Sequence, residues 1–579
     1  MQYFFKIWLL CLFFIPFFSI SGIPLPFIYP KVILFQFLIG LGLIGSLFIS
    51  DENNEVELGR IQVGFFSLLI FSILSLFWVS DMPLALFGSF WRGTGIIFYL
   101  AIVIGSLTLK EARITKDFLA AVFIASGSLM SLIVLFKVFF VSPKAGETAL
   151  MGNPNPLAYW VGSTIFVNLI FRHIFDGKKK YLNYFIHALC FVTLIYLGSR
   201  ASLGGVILGL IAFALMADKK TFKISLGAML AGIIALSAQY FLSQNSIVSN
   251  MIERSTKFVR LGVWQGAWDS FLAKPILGYG INGLIQGYWY NYTPTLGKDL
   301  EWNDNAHSVL FNIMGEFGLI GLIIFGAIIF FILKEIFQKE KNQRGAWLGF
   351  FIFTLSYSMV QPYYPDPSIL TLYVLFLFSD KAIYKFNPNL LPYKGLKLAL
   401  ALVLIFVSFK QYSQIKLINK VRIDIVNNEN FRKPWDEYMN QTSYLDRAGM
   451  MRQLNKQMKA TLNQNLPRFE RYKTQFPRFM VSEYPKIIEA QPQRPRALEN
   501  YADWLTRNKE YDKALQNLDK ILEGSANIPR AYKIKAQIYE EIRQYQKAKE
   551  MLLKAKKLNP DYMTLDQDLI YIENKLKGL

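Results

Sequence analysis

Residues 302–325 read W-N-D-N-A-H-S-V-L-F-N-I-M-G-E-F-G-L-I-G-L-I-I-F, from Trp302 to Phe325. A polar stretch gives way at Val309 to an apolar run that continues to residue 333, near the ~20-residue length of a bilayer-crossing helix. One histidine, His307, stands at the boundary; the other two are His173 and His187. Imidazole is the side chain whose ordinary pKa suits proton transfer near neutrality. An ionisable group at a membrane entrance is a functional candidate by default.

Similar apolar runs recur as far as residue 409, near 3–20, 31–50, 61–79, 93–109, 117–141, 156–172, 182–197, 202–217, 222–242, 309–333, 345–360, 367–379 and 394–409. They predict about thirteen spans in a membrane domain over residues 1–409, with an outer loop over 243–308. The composition agrees: 53% of residues are hydrophobic, 50 are Phe, and the mean hydropathy is +0.29. The first span lacks a small-residue cleavage site and is followed by Ile23-Pro24, so it reads as an uncleaved anchor.

Positive charge sets the orientation. Lys110, Arg113 and Lys116 share one short loop, and Arg172 and Lys178 to Lys180 another. Lys219, Lys220 and Lys223 mark a third, and Lys334, Lys339, Lys341 and Arg344 a fourth. With thirteen spans all four fall on one side, the cytoplasmic one. The loop before His307 and the C-terminal segment then face outward. Part of the net charge of +21 is this bias. The rest suits anionic lipid or glycan; nucleic acid is a poor partner for a segment outside the cytoplasm. Cys11 and Cys190 lie inside apolar spans and read as small buried hydrophobes.

At Lys410 the composition turns polar, and residues 410–579 form a separate helical domain by pattern. Here Ala497 matches Ala531, Ala502 matches Ala536, Tyr511 matches Tyr545, Ala514 matches Ala548 and Leu518 matches Leu552, each pair 34 residues apart. That period, with small residues where helices meet, is the signature of tetratricopeptide helix pairs, near 494–560. Two copies are fewer than the three a stable stack needs, so the helical stretch from 425 to 490 is expected to complete it. Such a solenoid either packs against a protein partner or holds an acceptor over the membrane site. The predicted fold class is therefore all-α: a polytopic helical membrane bundle followed by an α-helical solenoid.

Four clusters on the expected outer face carry chemistry. D-M-P-L-A-L-F-G-S-F-W-R-G-T-G holds Arg92 at the opening of a span. G-N-P-N-P-L-A, Gly152 to Ala158, includes Asn155. G-S-R-A-S-L-G-G places Ser199 and Arg200 in a very short loop between two apolar helices. The long loop has Arg260 and Trp264 in R-L-G-V-W, then K-P-I-L-G-Y-G-I-N-G from Lys274 to Gly283, then His307. A lone arginine at a helix end is as well explained by snorkelling to headgroups. Several on one surface point to a bound diphosphate, because the guanidinium fork matches phosphate oxygens. His307 reads as a base oriented by Asp304, three residues earlier, if the helix has begun by then; the bland alternative makes Asp304 the N-cap and puts His307 in the first turn. Glu316 falls on the opposite helix face, where pairing inside the bundle is expected. Gly315, Gly318 and Gly321 read as sites of close helix approach. The outer-face acids Asp81, Asp304 and Asp366 are scattered, so a metal-free, cofactor-free site is the simpler expectation.

R-x-x-x-W (Arg260, Trp264), K-P-I-L-G-Y-G, A-H-S-V-L-F-N-I-M-G-E-F-G-L-I-G-L, G-S-R-A-S-L-G-G and G-N-P-N-P-L-A together resemble the O-antigen ligase and polymerase superfamily, over about residues 60–380. The resemblance implies a GT-C-type membrane fold in the bacterial inner membrane. It implies an enzyme that takes a glycan from undecaprenyl diphosphate on the outer face and passes it to lipid A core, to another repeat unit or to a protein hydroxyl. Arg200, Arg260 and Arg92 would hold the diphosphate and His307 would deprotonate the acceptor, with inversion. Many relatives read His-Asn where this chain has His307-Ser308; Asn305 or Asn312 is close enough to supply the missing amide contact. Repeat-unit polymerase is the competing activity. A lipid or polysaccharide transporter would show internal symmetry and broken midplane helices, and a pure scaffold would leave the arginines and His307 unexplained.

Overall fold

The computed structural model describes residues 1–20, 27–49, 55–89, 92–141, 150–216, 259–291, 305–361, 371–375, 382–387, 391–427, 429–441, 447–464, 466–491, 495–524, 528–560 and 564–578. It is helical nearly throughout. Six of the described helices are long and apolar enough to cross a membrane: Tyr29–Ser46, Arg60–Phe77, Lys116–Val141, Lys180–Leu197, Val309–Phe337 and Pro392–Asn427. Gln2–Phe17 and Arg200–Met216 are shorter apolar helices. This is a multi-pass membrane protein. The span expected at 222–242 lies outside the described residues.

The centre of the bundle is the helix Pro154–Ile170, nearly all of it buried. The Asn-Pro element starts it: the Asn153 side chain accepts the Asn155 N–H at 2.9 Å, and Pro154 occupies the first turn, where a missing N–H costs nothing. Trp160 stacks on Phe123 at 4.7 Å, and Tyr159 on Tyr357 at 4.4 Å, filling the interior with rings. The helices Arg200–Met216 and Lys341–Val360 meet backbone to backbone; a Cβ on Gly209 would sit 2.5 Å from the Gly349 carbonyl.

Two features depart from the simplest reading of the sequence. Val56–Gly59 pairs antiparallel with Ala382–Phe386, a small sheet tied by Lys385 to Glu57 at 2.7 Å. The composition change at Lys410 does not interrupt a helix: Leu391–Asn427 runs straight through it, apolar in its first half and polar beyond.

Past residue 427 the register of 34 recurs in the helix boundaries. Pro495–Arg507 and Tyr511–Gly524 are repeated by Pro529–Glu541 and Tyr545–Leu558. The turns match too, with Lys509 and Arg543 both left-handed, at φ 63° and 60°. Ala502, Ala514 and Leu518 are buried, as are their counterparts Ala536, Ala548 and Leu552. Arg447–Asn463 and Tyr472–Ala490 precede them. These helices dock on the membrane bundle. Tyr29 and Ile33 pack into their core, Trp289 packs with Ala502 and Leu518, and the Gln491 amide donates to both Asp81 carboxylate oxygens at 3.0 and 3.1 Å.

One buried ion pair closes the bundle. Lys397 Nζ meets Glu111 Oε2 at 2.9 Å with both side chains almost inaccessible, and the Tyr393 hydroxyl donates to the other Glu111 oxygen at 2.8 Å. Removing one partner strands the other charge. Glu111→Gln is expected to cost about 3–5 kcal/mol, read as a lowered unfolding midpoint in detergent; an unchanged midpoint would show that Lys397 finds another partner.

Candidate functional site

The helix that begins at Val309 is not continuous. At Gly318 the backbone takes φ 59°, ψ −150°. The break leaves the carbonyls of Gly315 and Glu316 without the N–H groups of Leu319 and Ile320. The loop Pro275–Gly280 fills both sides of the gap. Tyr279 and Gly280 N–H donate to Gly315 and Glu316 C=O at 3.0 and 2.8 Å, and Leu319 N–H donates to Pro275 C=O at 2.8 Å. Ile320 N–H completes the exchange with a longer contact to Ile276 C=O at 3.4 Å. Only glycine permits this approach: a Cβ on Gly278 would lie 2.4 Å from the Glu316 carbonyl, and one on Gly318 2.5 Å from the Ile276 carbonyl. The expectation that Gly318 serves helix packing is thus corrected; it is the break itself.

The same loop reaches the Asp81–Gly95 cluster. Asn282, left-handed at φ 56°, donates to Thr94 C=O at 3.0 Å and to Leu84 C=O at 3.3 Å. Ile281 N–H donates to Ser75 Oγ at 3.1 Å. Arg92 is thereby carried to the broken helix. The two enclose a cavity of about 230 Å³. Arg92, Thr94, Tyr99, Asn282, Asn305, Asn312 and Glu316 supply its polar end, and its apolar walls follow the broken helix as far as Ile332. The Tyr99 hydroxyl interacts with the charges of both Glu316 and Arg92. Glu316, expected to pair within the bundle, therefore faces this cavity.

His307 stands beside the polar end. Ser308, not Asp304, is the N-cap: its hydroxyl accepts the Phe311 N–H at 3.5 Å, and the helix starts at Val309. His307 therefore precedes the first turn, and helical i, i+3 spacing does not relate it to Asp304, which lies outside the described residues. Its backbone is left-handed, at φ 50°. Such a conformation costs a non-glycine residue on the order of 1–3 kcal/mol and persists only where the surroundings impose it. They do so here. Asn305 Oδ1 accepts the His307 N–H at 2.8 Å, and Asn312 Oδ1 accepts the Ala306 N–H at 2.6 Å. Trp264 donates from its indole to the Ala306 carbonyl at 3.1 Å and stacks on Phe311 at 5.4 Å. Of the two amides foreseen as substitutes for the His-Asn pair, Asn305 thus acts on the histidine's own backbone and Asn312 on that of Ala306 before it.

Arg260 lies one turn before Trp264 in the helix Val259–Ala273, half-buried. Arg200 opens the helix Arg200–Met216 after a left-handed Gly198, with its side chain exposed. Its neighbour Ser199 is buried and donates to Asn155 Oδ1 at 2.9 Å, joining the Ser-Arg loop to the Asn-Pro element. Of the residues singled out in the sequence, Arg92 and Glu316 share the cavity. Trp264 holds the Ala306 carbonyl next to His307, and Ser199 and Asn155 join the Ser-Arg loop that carries Arg200 to the Asn-Pro element. The cavity adds Thr94, Tyr99 and Asn282. Thr94 and Asn282 lie inside motifs already noted, whereas Tyr99 sits in an apolar span where only the fold reveals a polar neighbourhood.

A polytopic helical bundle with a broken span, a loop locked into the break and a charged cavity beside it is the architecture of an integral-membrane protein with a built site. Residues 185–326, from the helix before the Ser-Arg loop to just past the break, match the family described as O-Antigen ligase. Over that segment this membrane protein is similar to O-antigen ligases, and the matched family implies glycan transfer of the ligase or polymerase type. A search of curated proteins finds no match.

Gly318→Ala tests the interlock. A side chain there must adopt a glycine-only conformation and displace the Ile276 carbonyl. It is expected to destabilise the protein by at least about 1–3 kcal/mol and to abolish transfer, read as unfolding midpoint and product yield. A variant with unchanged midpoint and yield would show that the break is dispensable.

Proposed function

We propose that the protein transfers a glycan from undecaprenyl diphosphate to an acceptor hydroxyl at the outer face of the bacterial inner membrane, with the C-terminal helices also outside and the N-terminus in the cytoplasm. The observation that carries this is the coupling of histidine to cavity. Asn305 and Asn312 line the cavity and also hydrogen-bond the backbone at His307 and Ala306. The base and the cavity's polar end are thus parts of one structure.

The shape supports an amphiphilic donor. Lining residues on the broken helix run from Val309 to Ile332, a path of about 30–35 Å at ~1.5 Å per residue, comparable to the ~30 Å hydrocarbon core of a bilayer. The apolar walls suit a polyprenyl chain, and the diphosphate then belongs at the Arg92 end. Arg260 and Arg200 complete its binding in this reading.

The acceptor oxygen attacks C1 of the sugar as the bond from C1 to the phosphate oxygen breaks. The acceptor's proton passes to the His307 imidazole, and the electron pair leaves with the undecaprenyl diphosphate. Guanidinium groups held in place before the reaction stabilise that developing charge without reorganisation. Attack opposite the leaving group inverts the anomeric centre, and the arginines provide the fixed positive charge without a metal ion. Ligation to a glycolipid or protein is the favoured outcome, because the docked C-terminal helices stand beside the Asp81 end of the site. In this reading they present the acceptor.

The test is the purified full-length protein in nanodiscs with a lipid-linked oligosaccharide and candidate acceptors, the product identified by mass spectrometry. His307→Ala should reduce transfer by about 10²–10⁴-fold while the protein stays folded in the membrane; full transfer would remove the histidine from the mechanism. Arg200→Lys should be strongly impaired, because a point charge cannot replace a bidentate fork. Wild-type turnover in that variant would make Arg200 an interfacial anchor.

A further inference from the structure

The loop that repairs the broken helix, and the helix before it, have an outward side that the transfer reaction does not use. Helix Val259–Ala273 turns Gly262, Gly266 and Ser270 inward and packs on the broken helix. Its opposite side, at the spacing of one helix face, is Leu261, Trp268 and Leu272, all exposed. Trp268 lies 5.6 Å from Phe271, ring centre to ring centre, which widens the apolar side. Gln265 and Asp269 border it and hydrogen-bond each other at 2.8 Å. The chain then runs into Ile276 and Leu277, also exposed. Lys274, just before them, is folded back over the Tyr279 ring, 4.4 Å from its centre.

The depth of this surface follows from the interlock. Leu319 N–H donates to Pro275 C=O and Ile320 N–H to Ile276 C=O, so Ile276 and Leu277 lie level with Leu319. Leu319 heads the outward stripe of the broken helix, where Leu319, Ile323 and Phe330 are exposed at helical spacing. The stretch from Leu319 to Leu333 carries no charge, and the first cation beyond it is Lys334. Between Leu319 and Lys334 the helix rises about 22 Å at ~1.5 Å per residue, less than the ~30 Å hydrocarbon core. With Lys334 at one headgroup layer, Ile276 and Leu277 fall short of the other. The loop is as open as the span it joins: Ile276 is 63% exposed and Ile323 62%.

We propose that the face formed by Leu261, Trp268, Leu272, Ile276 and Leu277 is immersed in the bilayer, with helix Val259–Ala273 lying along the interface and the loop after it entering the leaflet. This part of the segment 243–308 is then membrane-bound, not a loop in water. Lipid is the occupant because the face continues, through backbone hydrogen bonds, the outward side of a span. A protein partner would have to reach below headgroup level to cover it. An amphipathic helix with Trp and Leu on its apolar side settles ~5–10 Å into this boundary, and Trp is enriched at that level. One consequence rests on the transfer reading: Arg260, next to Leu261, is carried at headgroup level, where the diphosphate of a polyprenyl-anchored donor lies. The lipid contact itself does not rest on that reading.

The experiment attaches a nitroxide to the full-length protein in phosphatidylcholine nanodiscs, with Cys11→Ser and Cys190→Ala removing the native thiols. Leu272→Cys and Ile276→Cys carry the label on the proposed face, each replacing an exposed side chain, so the unfolding midpoint should stay that of the thiol-free parent. Ile323→Cys carries it on the span, and Lys513→Cys on an exposed position of the C-terminal helices. Power saturation compares collisions with oxygen, which concentrates in lipid, and with a water-soluble nickel chelate. Labels at Leu272 and Ile276 should follow the one at Ile323, relaxed by oxygen and shielded from nickel. Nickel access equal to that at Lys513 would put the face in water, and shielding from both reagents would put it under protein; either result overturns the proposal. The readout needs no turnover, so a failed transfer assay leaves it standing. A nickel-exposed face likewise leaves His307 and the cavity untouched.

Discussion

The site depends on a backbone exchange. A transmembrane helix cannot be broken in hydrocarbon unless its freed N–H and C=O groups find partners. Here the break at Gly318 is repaired by the loop Pro275–Gly280, which supplies two donors and two acceptors across the gap. The repair fixes everything nearby. It turns Glu316 toward Arg92, brings Asn282 to the Thr94 carbonyl, and places the start of the broken helix where Asn305, Asn312 and Trp264 hold His307 in a left-handed conformation. The glycines at 278 and 318 are needed because backbone meets backbone.

Features governed by local rules were legible in the sequence. The span near 156–172 was visible in the hydropathy, and the structure starts it with an N-cap acceptor at Asn153 and a first-turn proline, Pro154. The period of 34 appeared in the structure as matching helix boundaries and matching left-handed turns at Lys509 and Arg543. The motifs carrying Arg92, Asn282 and His307 could be located for the same reason. The break could not: hydropathy from Val309 onward is uninterrupted, and a glycine that breaks a helix looks like one that packs it. Glu316 and Tyr99 were opaque because their roles depend on Arg92, which arrives through a loop distant in the chain. The N-cap fell to Ser308 and not to Asp304, a choice between capping residues four positions apart that propensity alone does not make.

The membrane and C-terminal helices are mechanically joined. Leu391–Asn427 passes from one to the other without a break, and Gln491 donates to Asp81 while its carbonyl accepts the Ala448 N–H at 2.8 Å. Asp81 is also the N-cap of Met82–Phe87, the short helix leading to Arg92. The C-terminal helices are thereby hydrogen-bonded to the start of the segment that carries the cavity's arginine.

The most direct test of the central claim is photo-cross-linking with a diazirine-bearing polyprenyl diphosphate, the labelled peptides being mapped by mass spectrometry. The account requires labels on the lining of the broken helix, between Val309 and Ile332, and competition by unmodified lipid-linked glycan. Labels confined to other helices, with this lining untouched, would contradict it.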